Sequence, residues 1–154
     1  MSIATRFDDD LMLLNHAGIE REALFREVNN LLHKKGLVEN SYLQALIHRE
    51  ENNPTAMQLE KIGVAIPHVD VGHVREEKLV VVTCPEGIVF KQAEDPDNVM
   101  KVHVVFFLLL KEKDAHIDFL MKLIGLFRQT EKMDTLLTTT SPEEVKKLLA
   151  EVLN

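Results

Sequence analysis

The chain has 154 residues, enough for one domain with a sizeable core, and 45% of them are apolar, a fraction that argues against disorder. Its formal charge of −7 disfavours nonspecific nucleic-acid binding, which needs a basic face, and suits a basic protein partner. The longest apolar run, Val104 to Leu110, is too short for a membrane span, Met1 to Asp10 holds no apolar signal region, and the lone Cys84 suits a reducing cytosol.

In chain order, Asp10 to Asn15 is expected to be a short strand. Leu24, Phe25, Val28, Leu31 and Leu32 then share one face of a helix that Gly36 should stop. Asn40 is the expected cap of a second helix with Leu43, Leu46 and Ile47 on its apolar face, ending near Arg49. Asn52-Asn53-Pro54 breaks it into a loop, and Lys61 to Ile66 reads as a short strand leading to Pro67.

Leu79 to Thr83 and Ile88 to Phe90 are strand-like, with Pro85-Glu86-Gly87 as a turn between them, and Ala93 to Asn98 is a polar loop. Val102 to Leu110 is apolar on both alternating faces, the pattern of a central strand covered on each side. Asp114 is the expected N-cap of a third helix, with Ile117, Leu120, Met121, Ile124 and Phe127 buried. Met133 to Leu137 adds a short helix. The last helix opens with Ser141 as cap, Pro142 at its first position and Glu144 three residues after the cap, and carries a Val145, Leu148, Leu149, Val152 stripe. Helices alternate with apolar strands and no linker interrupts them, so residues 1–154 are read as one α/β domain, a sheet with helices on both faces.

Seven histidines invite a chemical reading. His16 and His33 lie in polar segments, His48 falls on the second helix, His73 in a loop, and His103 opens the central strand, where a sheet-end residue with a hydrogen-bond partner is the plain expectation. His68 differs because Pro67 removes a backbone donor where an apolar run breaks off. His116 differs because the first turn of a helix disfavours imidazolium and favours an anion. Either could be structural or functional on this ground alone.

A metal site built from His68, Asp70, His73 and His116 is one alternative, but the spacing matches no familiar zinc motif. No Gly-x-Ser-x-Gly elbow supports hydrolysis, and the scattered glycines form no nucleotide-binding fingerprint. There remains a histidine that itself carries a group. Imidazole is nucleophilic near neutral pH, and a phosphoryl group on it would need cationic or N–H donors around its oxygens. Arg49 offers a planar fork for that task, and Thr55 a hydroxyl; their structural alternatives are a solvent-facing helix end and a turn.

The stretch "HREENNPTAMQLEKIGVAIPHVD" resembles the signature of the mannitol/fructose-type (type 2) enzyme IIA domains of the phosphoenolpyruvate-dependent sugar phosphotransferase system. Arg49, Glu50, Pro54, Thr55, Gly63, Ala65, Pro67 and His68 carry it, and "DAHIDFLMKLIGLF" puts His116 where that family has a second active-site histidine. The resemblance runs from about Leu11 to the end, and "SYLQALIHREENNPTAMQLE" is most similar to galactitol-type members. It implies a single mixed β-sheet flanked by helices. It also implies a relay in which the phosphocarrier protein HPr charges His68 and His68 passes the group to a cysteine of a sugar-specific IIB partner serving a membrane IIC transporter. Arg49 and His116 would stabilise the phosphoryl oxygens, Glu50, Thr55 and Pro67 would support the site, and no metal or cofactor is required. Val69 and Asp70 depart from the small or polar residues usual after the histidine, and Val69 and Val71 are candidates for an apolar docking rim. The alternative reading is a nitrogen-type regulatory IIA module, which shares the motif and controls other proteins instead of feeding a transporter.

Overall fold

The computed structural model describes residues 7–153, with the side chains of 113–116 outside the described set. Five strands form one mixed sheet: β1 (Met12–Leu13), β2 (Met57–Gln58), β3 (Gly63–Ala65), β4 (Lys78–Lys91) and β5 (Val99–Leu109). Their spatial order is β1-β4-β5-β3-β2. β1 runs parallel to β4 and β3 parallel to β5, while the β4/β5 and β2/β3 pairs are antiparallel. The expected mixed sheet is therefore present.

β5 is the middle strand, and from Val104 onward its side chains alternate between two cores. Val102, Val105, Phe107 and Leu109 join the core under α1 (Arg21–Lys34) and α2 (Tyr42–Asn52). Val104, Phe106, Leu108 and Leu110 join the core under α3 (Lys113–Phe127), α4 (Thr130–Thr138) and α5 (Pro142–Leu153). Residues alternate across a strand, so an unbroken apolar run feeds two cores at once. Each fully buried Leu or Phe in such a core contributes roughly 1.5–3 kcal/mol. Phe25 of α1 meets Phe90 and Phe107 edge-on, with ring centroids 6.0 and 5.5 Å apart.

Several expectations hold. Gly36 stands just past α1 with φ of +72°, the left-handed conformation of a helix stop. Ser141 Oγ accepts a hydrogen bond from the Glu144 N–H at 3.3 Å, capping α5 as its sequence predicts. Val145, Leu148 and Leu149 are buried there, joined by Leu153 in place of Val152.

Others are corrected. Asp10 to Asn15 is mostly not strand: Asp9–Leu11 form a 3₁₀ turn and only Met12–Leu13 pair. Ser41, not Asn40, occupies the cap position of α2, and Tyr42, Leu46 and Glu50 are its buried side chains.

Pro85 does not turn the chain. β4 continues through it as one 14-residue strand. Thr83 pairs with Val104 and Ile88 with Val102, so five steps along β4 match two along β5. The surplus residues form a bulge, and a bulge tolerates a proline because no ladder donor is lost. Gly87 completes it with φ of +85°.

α3 is turned from its expected face. Phe127 is buried as expected and Leu120 and Ile124 pack half-buried against the core, but Ile117 and Met121 are 70% and 65% exposed, while Phe119, Leu123 and Leu126 are buried. The helix is apolar nearly all round, so spacing alone offers two competing stripes. It begins at Lys113 with Glu112 at the cap position, so Asp114 lies within it.

Candidate functional site

The site forms where β3 stops. Gly63 opens β3 against β5, and a Cβ there would come within 2.0 Å of the Lys101 carbonyl oxygen, so only glycine permits the approach. Val64 and Ala65 pair with Val104 and Val105. Beyond them the Pro67 carbonyl still accepts the Leu108 N–H at 3.1 Å, and His68 lies in register with Leu108. Proline thus ends the regular strand without releasing it, because its carbonyl still serves the ladder. The following imidazole is carried to the carboxyl end of the parallel β3/β5 pair.

His68 is half-buried, and its Nδ1 lies 2.7 Å from the Ile66 carbonyl oxygen. A carbonyl only accepts, so Nδ1 bears a proton, and in the neutral ring the lone pair is then on Nε2. Nε2 faces the guanidinium of Arg49, with Nη2 at 3.5 Å. Arg49 stands in the last turn of α2, and its Nη1 donates to the Asn53 carbonyl oxygen at the helix end. The cation is thereby braced against the negative pole of its own helix.

Behind the histidine lies a polar cluster in an otherwise apolar core. Glu50 is 1% exposed. Its Oε2 accepts the Thr55 N–H at 2.7 Å and its Oε1 the Thr55 hydroxyl at 2.9 Å. Thr55 Oγ1 in turn accepts the Ile66 N–H at 3.1 Å. Burial pushes the Glu50 carboxyl above its usual range, against the Thr55 hydrogen bonds and the charges of Arg21 and Arg49, which pull it down.

Arg49, Glu50, Thr55, Pro67 and His68 therefore gather within one connected set of contacts. Residue 116 belongs to the first turn of α3, eight residues past Leu108, while the His116 side chain lies outside the described residues. The sequence reading missed the Ile66 carbonyl. The signal for it was Pro67: the residue before a proline is held extended, so its carbonyl direction is fixed.

Three of the remaining histidines are engaged elsewhere. His16 bonds the Ala17 carbonyl and Glu27, His73 bonds Ser41, and His103 Nδ1 accepts the Gly63 N–H at 3.0 Å, as a sheet-end histidine should. Val69 is 4% exposed and packs in the core beneath α1 and α2, so it contributes nothing to a docking rim; Val71 is half-buried. Among the described residues no group of three or more His, Cys, Asp or Glu side chains gathers as a metal site would. No helix among them is long and apolar enough to cross a membrane.

The class is an α/β sandwich that offers an imidazole at the end of its central strands, with one ring proton fixed and a guanidinium beside the other nitrogen. Comparison with known proteins gives the family. The model for the phosphoenolpyruvate-dependent sugar phosphotransferase system, EIIA 2, matches residues 6–152, and the chain belongs to that family. It is 30% identical over 120 residues to the galactitol-specific EIIA component of Escherichia coli K12, covering 78% of this chain and 79% of that protein. It is also 30% identical over 149 residues to the mannitol-specific phosphotransferase enzyme IIA component of Staphylococcus aureus Mu50, covering 94% and 95%. Among solved structures, the complex of enzyme IIA and phosphorylated enzyme IIB for mannitol from Escherichia coli superposes with a TM-score of 0.76 at 26% identity, covering 94% of this chain and 97% of that one. The chain is thus a IIA component of a sugar phosphotransferase system.

Proposed function

We propose that His68 is the residue that carries the phosphoryl group, on Nε2. The Nε2 lone pair attacks phosphorus of the phosphohistidine on HPr, a new P–Nε2 bond forms, and the donor P–N bond breaks with its electron pair returning to the donor imidazole. In the second transfer a cysteine thiolate of the IIB partner attacks the same phosphorus, and the P–Nε2 bond breaks in its turn. IIB then serves a membrane IIC transporter, with which this chain has no direct contact.

The observation that carries this reading is the pair of contacts on the His68 ring, Nδ1–H to the Ile66 carbonyl and Nε2 toward Arg49. A nucleophile needs its lone pair aimed outward, and the oxygens arriving on phosphorus need a cation already in place. Arg49 supplies that cation as a planar fork, and His116 is its proposed companion from the first turn of α3. Phosphoryl transfer asks little more of a protein than such positioning. No metal or cofactor takes part in the scheme.

All 154 residues act as one domain in the cytoplasm in this reading. Galactitol is the proposed sugar, supported by the 30% identity to the galactitol-specific component and by the stretch around Arg49. The test is mass spectrometry after incubation with phosphoenolpyruvate, enzyme I and HPr. One acid-labile phosphoryl group on the wild type and none on His68→Ala supports the carrier role; an uncharged wild type beside charged HPr refutes it. A galactitol-type IIB should then discharge the protein faster than a mannitol-type IIB.

A further inference from the structure

Three hydrogen-bonded links join the buried carboxylate of Glu50 to the ring of His68, and each has a definite polarity. The carboxylate accepts from the Thr55 hydroxyl at 2.9 Å, which orients that hydroxyl with its proton toward Glu50 and a lone pair toward Ile66. The lone pair accepts the Ile66 N–H at 3.1 Å. The Ile66 carbonyl then accepts Nδ1–H of His68 at 2.7 Å. Were Glu50 an apolar residue, the Thr55 hydroxyl would lose the acceptor for its proton, and nothing would hold its lone pair on the Ile66 N–H.

Ile66 is held from both sides. Its N–H is fixed by Thr55, and Pro67 confines it to extended backbone. Its carbonyl belongs to a tertiary amide, because the next nitrogen is proline's. The direction of that oxygen is thus set by the backbone, and the oxygen sets the tautomer of the imidazole.

We propose that Glu50 is a positioning residue that selects Nε2 of His68 as the phosphoryl acceptor, acting through the Thr55 hydroxyl and the Ile66 backbone. The proposal rests on the carrier role of His68 and deepens it. Loss of an orienting partner behind a metal-ligating histidine typically costs about ten- to a hundredfold, and the same scale is expected for this one. The bond at Nδ1 also persists through both transfers. The ring proton stays on Nδ1 while phosphorus joins and leaves Nε2, so the departing imidazole is released as the same neutral tautomer that attacked.

The experiment measures the His68 ring by long-range proton–nitrogen NMR, together with the rate of phosphoryl acceptance from phospho-HPr. The proteins are the wild type, Thr55→Val, Glu50→Gln and Thr55→Ser, each checked for folding by its amide spectrum. In the wild type, Nδ1 should carry the proton. Thr55→Val and Glu50→Gln should shift His68 toward the Nε2–H form and slow acceptance about ten- to a hundredfold with little change in HPr affinity, and Thr55→Ser should restore both. A folded Thr55→Val or Glu50→Gln protein that keeps the Nδ1–H tautomer, or slows with no change of tautomer, overturns the proposal. A wild type that holds the Nδ1–H tautomer yet accepts no phosphoryl group overturns the carrier reading instead. Should neither variant fold, the pH at which the wild-type tautomer signature is lost decides. Loss only as the ring itself gains a second proton overturns the link to Glu50; an additional tautomer change tracking the Glu50 carboxyl signal supports it.

Discussion

Glu50 and Thr55 lie five positions apart, one in the last turn of α2 and one beyond it, and the carboxylate takes both the Thr55 N–H and its hydroxyl at 2.7 and 2.9 Å. The contact closes the loop Asn53-Pro54 over the helix end and explains why a charged residue can sit 1% exposed there. A buried carboxylate that loses a donor keeps its desolvation penalty. Thr55→Val should therefore lower stability by about 1–3 kcal/mol, read as a fall in the denaturant midpoint with unchanged slope.

Glu50 also makes a prediction about pH. Its carboxyl titrates above the usual range when folded, chiefly through burial. The folded state then holds the proton more tightly than the unfolded one. This contribution to stability is complete below the unfolded value and declines as pH rises through the folded value. The melting temperature of the wild type relative to Glu50→Gln should thus fall as pH is raised from about 4 to neutrality. A constant difference between the two proteins would show that the carboxyl titrates normally.

His103 works in the opposite sense. Burial, reinforced by the charge of Lys101, holds its imidazole below the usual value, and its Nδ1 accepts the Gly63 N–H. The unfolded chain takes up the proton first, so stability is present above about pH 6.5 and is lost as pH falls through the folded value. His103→Asn, which keeps an acceptor and cannot charge, should flatten that part of the melting profile.

Tyr42 is fully buried, and its hydroxyl has no hydrogen-bond partner among the described residues; burial also pushes its ionisation far upward. An unpaired hydroxyl in a core costs free energy that phenylalanine would not. Tyr42→Phe should raise stability by about 1 kcal/mol, or roughly 2–4 °C in melting temperature. A drop instead would reveal a partner for the hydroxyl, such as a buried water.

The two faces of α3 can be separated by mutation. Ile117 is 70% exposed and Leu123 is fully buried. Ile117→Ser should change stability by less than about 0.5 kcal/mol, whereas Leu123→Ala should cost about 2–5 kcal/mol. Equal costs would restore the face that residue spacing favours.

Much of this architecture was legible in the chain. β5 announces itself because nine consecutive positions from Val102 to Leu110, His103 apart, are apolar, and such a run can only be satisfied between two layers. Ser141-Pro142 and Gly36 mark helix ends through local bonds that need no tertiary context. The Gly63 to His68 stretch pointed to the site for similar reasons, since glycine and proline there answer to backbone geometry. What escaped depended on the rest of the fold. Pro85 and Gly87 look like a turn until β5 holds both flanks of the bulge. The face of α3 is chosen by the sheet beneath it, and Val69 is drawn into the core shared with α1 and α2. The Ile66 carbonyl is a main-chain atom, which no side-chain pattern can advertise.

The central claim is that His68 accepts phosphorus on Nε2. The most direct measurement is a phosphorus–nitrogen coupling in the imidazole spectrum of the protein charged by phosphoenolpyruvate, enzyme I and HPr. A coupling to Nε2 of His68, with the proton still on Nδ1, is the predicted result. Phosphorus on Nδ1, on another histidine or on no histidine would contradict the account.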